Sequence, residues 1–174
     1  LDSPSAILVS VNDADNEAPV AIASDATWTV LHDGDPATTI AEIKIKNKNQ
    51  VGSDRIANAV GVYKKYKSDC IVLDFGTATT FDVVIKNKYL GGIIAPGLLL
   101  SLNTLISSAS LIPPLKLKKV NKILGKNTVL AVRSGFYWGY IGLIDNIVNL
   151  IKKETGKSFK IIITGGFSHL FGTS

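Results

Sequence analysis

"IVLDFGTATTFDVV", residues 71–84, sets an aspartate, Asp74, inside a run of apolar and β-branched residues and follows it with a glycine and three threonines. A second aspartate, Asp82, then interrupts a further β-branched run. Such residues favour the pleated strand. The stretch therefore reads as a strand over 70–74, a turn at Gly76 and a second strand over 79–86, in the manner of a hairpin. A carboxylate at the end of the first strand can face a cleft. Gly76 would let the backbone turn closely and leave amide N–H groups open to an anion. Thr77, Thr79 and Thr80 add hydroxyl donors. That set suits a phosphate with its counter-cation, the acid holding the cation and the donors holding the oxygens. It equally suits an ordinary hairpin in which Asp74 and the threonines hydrogen-bond local backbone. At this level both readings stand.

Working outward, residues 53–67, "SDRIANAVGVYKKYK", place Ile56, Ala59, Val60 and Tyr63 at helical spacing behind a cap at Ser53 or Asp54. On the other side, "KYLGGIIAPG" continues as a strand ending at Pro96-Gly97. A helix of about a dozen residues follows, up to the breaker "IPP" at 112–114. Residues 115–127 read as a loop with a short strand, and 128–154 as a helix of many turns. A last strand, "FKIIIT", runs into Gly165-Gly166 and a helix start. Residues 1–40 offer short strands, "AILVSV" and "TWTVL", between turns such as "HDGDP". Strands alternating with helices and hairpins predict an α/β domain. The window "SGFYWGYIGLIDNIVNLI" approaches membrane-spanning length, but Asp145, Asn146 and Asn149 within it favour a buried helix. Its glycines, Gly135, Gly139 and Gly142, would admit another backbone, within the fold or across a dimer.

The chain has 174 residues, 46% hydrophobic and 19% charged, enough to bury a core. One cysteine, Cys70, excludes an internal disulfide framework, and two distant histidines, His32 and His169, argue against a His-based metal site. The opening "LDSPSAILVSVNDAD" lacks a basic n-region and a long apolar run, so no signal peptide is expected there. Charge is unevenly spread. Residues 1–42 hold eight of the 14 acids and no lysine or arginine, while the remainder holds all 19 basic residues. A basic body suits nucleic acid or phosphorylated ligands, yet no Arg/aromatic stripe accompanies it, and a lysine-rich solvated surface accounts for it.

Further candidates are an Asp-Arg pair, Asp54 and Arg55, in "QVGSDRIANAV", and the weaker "LGKNT" (124–128) and "IIITGG" (161–166). Asp54 in one cleft with Asp74 could act as general base on a hydroxyl, with Arg55 binding an anionic group. As an isolated pair the two would be only a cap and a surface ion pair. "LGKNT" reads as a Gly-Asn turn capped by Thr128. A strand ending in two glycines suits the approach of a flat base. No Walker A, GxGxxG, HExxH or GxSxG pattern occurs.

Taken in order, "VGSDRIANAV", "VLDFGTATTFDVV", "YLGGIIAPGL", "ILGKNT", "SGFYWGYIGLID" and "ITGGFSHLF" closely resemble the type III pantothenate kinases of the acetate/sugar kinase, Hsp70 and actin superfamily. The resemblance runs from about residue 41 to the last residue. It implies a ribonuclease H-like α/β domain over 41–174 that phosphorylates the 4′-hydroxyl of pantothenate from ATP, the first step toward coenzyme A. By the family's motifs Asp54 is the proton acceptor; Gly52, Ser53, Arg55 and Thr128 bind substrate. Asp74 holds a monovalent cation (potassium or ammonium), Gly76 and Thr77 meet ATP with its Mg2+, and Gly165 and Gly166 lie near the adenine. Ser53 stands where the family usually has alanine. The family implies a cytoplasmic homodimer acting on pantothenate and ATP, with no nucleic-acid or membrane partner.

One departure bears on activity. The family opens on a strand ending in D-x-G-N-T, and "VNDADNE" at 11–17 has aspartates without that glycine turn or threonine. The expectation is that residues 1–40 are an atypical segment replacing most of the first half-domain, and that this chain alone is not a competent kinase. The alternative reading is a non-catalytic pantothenate-binding or dimerisation relic.

Overall fold

The computed structural model describes residues 51–172, with the backbone of five short strands before them. These are β1 (Val9–Ser10), β2 (Val20–Ser24), β3 (Thr27–Leu31), β4 (Thr38–Ile40) and β5 (Glu42–Ile43). Helix α1 (Ser53–Tyr66) follows, then β6 (Cys70–Phe75), β7 (Ala78–Ile85), β8 (Lys88–Pro96), α2 (Leu98–Ser108), α3 (Thr128–Thr155), β9 (Lys160–Gly165) and the short α4 (Ser168–Phe171). The strands expected in "AILVSV" and "TWTVL" correspond to β1 and β3. The turn expected at "HDGDP" and the segment "VNDADNE" lie outside the described residues.

Six strands form one mixed sheet in the order β1-β9-β6-β7-β8-β5, and β2-β3-β4 form a separate antiparallel sheet. β6, β7 and β8 are an antiparallel meander, whereas β9 returns parallel to β6 with Asp74 opposite Thr164 and Phe75 opposite Gly165. Alternation sends successive side chains to opposite faces. Ile71, Leu73, Phe75, Phe81, Val83, Ile161 and Ile163 form the main core with Leu98 of α2, Tyr140, Val148 and Ile151 of α3, and Leu170 of α4. On the other face Val84 and Tyr89 pack under Ile56, Ala59 and Val60 of α1, and Cys70, Val72 and Ile162 under Val62. Asp74 and Asp82 share that second face, because they keep step with Val72 and Val84.

Three local expectations are corrected. Helix α1 is entered from Gly52 rather than capped at Ser53 or Asp54. Residues 115–127 contain no strand; the alternation of Leu115 and Leu117 with lysines ends at Lys118-Lys119, too short a run to pair along a sheet edge. The cap of α3 is Asn127, whose side chain accepts from the Leu130 N–H at 2.9 Å, and Thr128 is the first helical residue. The long helix ends at Gly156, whose φ of 65° fits the left-handed position that closes a helix. Gly135, Gly139 and Gly142 face open space, so no backbone of the described chain uses their clearance. Among the described residues no helix is long and apolar enough to cross a membrane.

Candidate functional site

β6 and β9 run parallel, so their C-terminal ends open at the same edge of the sheet. There Asp74 stands on the α1 face. Asn58, one turn beyond Asp54 on α1, donates its Nδ2–H to Asp74 Oδ2 at 3.0 Å. Gly165 closes the other side: a Cβ there would come within 2.6 Å of Asp74 Oδ1 and of the Phe75 backbone, and its φ of 90° also favours glycine. Burial raises the pKa of Asp74 above the ordinary aspartate value, the hydrogen bond from Asn58 opposes this, and the charges of Asp54 and Asp82 add to the rise. Three carboxylates thus feel one another across the face.

Asp54 is exposed at the first turn of α1, and a Cβ on Gly52 would collide with its Oδ1. Gly52 therefore leaves the space into which the carboxylate folds. Arg55, next along the helix, turns under the sheet to Asp82, which has no exposed surface. Its Nε donates to Asp82 Oδ1 at 2.8 Å and Nη2 lies 2.6 Å from the same oxygen. Nη2 has no aligned acceptor, so that short approach is an ion pair rather than a hydrogen bond. Tyr89 donates its O–H to Asp82 Oδ1 at 2.6 Å, and Thr80 Oγ1 to Oδ2 at 3.3 Å. Burial lowers the guanidinium pKa, but the hydrogen bond and charge of Asp82 outweigh it, with Tyr89 and Asp54 assisting, and the net shift is upward. Burial first, and then Asp82, push the Tyr89 phenol far up, so it stays protonated and donates.

The structure brings Asp54, Arg55 and Asp74 to one face, with Gly52 and Gly165 shaping their surroundings. It treats the remaining candidates differently. The Gly76 N–H donates to the Ala78 carbonyl at 3.1 Å, so the free amide expected there is taken. Thr77 is exposed, and its carbonyl blocks any side chain at Gly97, which docks the start of α2 on the turn. Thr79 and Thr80 cannot line one site, since strand alternation turns them to opposite faces; Thr79 is fully buried with no partner for its hydroxyl. Gly166 is exposed, with nothing within 4 Å of where a Cβ would stand. Thr128 begins the helix that packs on the opposite face of the sheet from α1. It lines an open groove of about 570 Å3 with Leu111, Pro113 and Arg133. Ser53 contributes its backbone to α1.

Asp82, Tyr89, Asn58 and Gly92 are the residues that sequence reasoning passed over. One signal was available: an aspartate in a β-branched run must be paired if buried. Arg55 is one of only two arginines able to pair with it. As for metals, the described residues contain no cluster of three or more His, Cys, Asp or Glu side chains. Asp82 is paired with Arg55 and Asp74 accepts from Asn58, so any cation at this edge would be held by Asp74 with Asp54 nearby.

A family model described as type III pantothenate kinase matches residues 2–150. A type III pantothenate kinase of Pelagibacter ubique (strain HTCC1062) is 66% identical over 133 residues, covering 76% of this chain and 53% of the relative. Those of Koribacter versatilis (strain Ellin345) and Jannaschia sp. (strain CCS1) are 49% and 50% identical, covering 72% and 70% of this chain and 46% and 47% of their own lengths. The chain spans about half the length of the curated relatives it matches. Because the match takes in most of these 174 residues, the chain belongs to the type III pantothenate kinase family.

Proposed function

We propose that this chain carries the phosphoryl-acceptor side of an ATP-dependent pantothenate kinase, acting on the 4′-hydroxyl. The observation that carries the reading is the meeting of Asp54-Arg55 with Asp74 on one face of the sheet, in a member of this family. Phosphoryl transfer needs positioning and charge neutralisation more than covalent help. Asp54 would accept the hydroxyl proton as the new P–O bond forms, and Arg55 would hold an anionic part of the acceptor. Asp74 would hold a monovalent cation, and Mg2+ would ride on the ATP phosphates, since such ions take few protein carboxylates. When bound, these cations offset charge on the phosphate oxygens. Gly165 and Gly166 would border the base. We further infer a ribonuclease H-like fold and a cytoplasmic homodimer. The exposed Leu111 and Leu130, which line the groove with Thr128, support a partner there.

The test is an assay coupling ATP consumption to pantothenate. Turnover that Asp54→Ala abolishes, by at least about a hundredfold for loss of a general base, would support this reading and overturn the expectation that this chain alone is not a competent kinase. A second reading is pantothenate binding without turnover, as a non-catalytic relic. Heat of pantothenate binding with no ATP consumption would select it, and absence of both would sink the substrate assignment.

A further inference from the structure

Three residues with no part in the proposed reaction surround one that has. Asp82 is sealed from solvent, and one of its oxygens, Oδ1, receives Arg55 Nε–H at 2.8 Å and the Tyr89 O–H at 2.6 Å. Gly92 sits opposite Asp82 in β8; a side chain there would strike Arg55 Nη2 and the Phe81 carbonyl, and lie 2.8 Å from Asp82 Oδ1. A strand has thus been cleared at one position to admit a guanidinium. An arginine has several free torsions, so the helix alone does not decide where its charge lies. Here the decision falls to Asp82, whose own orientation is fixed by Tyr89 on one oxygen and Thr80 on the other. Arg55 follows Asp54 directly, so its guanidinium sets the charge beside the carboxylate that meets the acceptor hydroxyl.

We propose that Asp82 and Tyr89 are positioning residues: they grip the Nε/Nη2 edge of Arg55, and this presents the Nη1 end to the anionic group of the acceptor substrate. The identity of that substrate rests on the pantothenate reading; the grip does not. A merely structural ion pair, tying α1 to the sheet, would lower the melting temperature on loss and leave substrate affinity alone.

Tyr89→Phe separates the two, because it removes one O–H and keeps the ring packed under α1. Arg55 and Arg133 are the only arginines, so in an Arg133→Lys background the Arg55 Nε–H gives a single NMR resonance. That resonance should exchange slowly with solvent, and roughly tenfold faster in Tyr89→Phe, the scale of one lost charge-assisted hydrogen bond. Pantothenate should bind the otherwise wild-type Tyr89→Phe chain about tenfold more weakly by calorimetry; where turnover is present, KM should rise and kcat should hold. Asp82→Asn should exceed both effects if it folds; Tyr89→Phe decides if it does not. Unchanged exchange in Tyr89→Phe overturns the proposal, as does unchanged affinity in a chain that binds pantothenate. A folded wild-type chain that binds no pantothenate sinks the substrate reading alone, and the resonance then decides the grip.

Discussion

Asp74 is held in the fold at some cost. Burial, with Asp54 and Asp82 nearby, raises its pKa over the ordinary value despite the hydrogen bond from Asn58. A carboxylate whose folded pKa is raised binds its proton more tightly in the native state. Its favourable contribution is present below the ordinary aspartate pKa and is lost as pH rises through the folded value. Stability should therefore fall with rising pH across that window. Asp74→Asn keeps an acceptor for Asn58 and removes the charge, so it should raise the melting temperature at pH 7 and leave it unchanged well below pH 4, where Asp74 is protonated anyway. Thermal melts across pH check this; a melting temperature that falls at pH 7 would show that the charge is locally compensated. Asp54, Arg55 and Asp74 can be singled out in the sequence as candidates because each stands next to a strand end or helix start. The Arg55–Asp82 pair cannot be, since its partners lie 27 residues apart and only the α1 packing joins them. Thr79 was misjudged for a simpler reason: a hydroxyl-rich run looks uniform in sequence, but a strand deals its residues alternately to two faces.

Helix α3 is the element whose composition fits its surroundings least. Gly135, Gly139 and Gly142 recur at helical spacing on one face, and no atom lies within 4 Å of where their Cβ would stand. In an isolated chain, each Gly→Ala change there should stabilise by about 0.5–1 kcal/mol, the helix-propensity difference. Chemical denaturation measures this, and a loss of stability at any of the three would mean that another backbone occupies the clearance. Element boundaries were largely readable. Ile56, Ala59 and Val60 gave α1, β-branched runs gave β6, β7 and β9, and the "IPP" breaker bounded α2. The register irregularity between Val83 and Val84 was not readable, although Gly91 at φ 135° accommodates it. A bulge depends on how two strands meet, which neither strand states.

At the scale of the molecule, one sheet divides a large aromatic and aliphatic core from a smaller one under α1. Phe81, fully buried at the centre of the larger core, should cost about 3–5 kcal/mol on replacement by alanine, read from the denaturation midpoint. Cys70 lies wholly buried in β6 with its thiol pKa raised by burial, so it should react with a disulfide reagent only as fast as the sheet opens. Labelling that outpaces amide exchange of β6 would contradict so closed a core. The parallel pairing of β6 with β9 has a kinetic consequence. The β6–β7–β8 meander forms from contacts near in sequence, but β9 must close a long loop, through two helices, before Gly165 reaches Asp74. Folding should nucleate in the meander, with high φ-values for substitutions around Phe81 and low ones around Ile162. On a growing chain, the wall beside Asp74 would then arrive last, and no ligand could be gripped there until synthesis had passed residue 165.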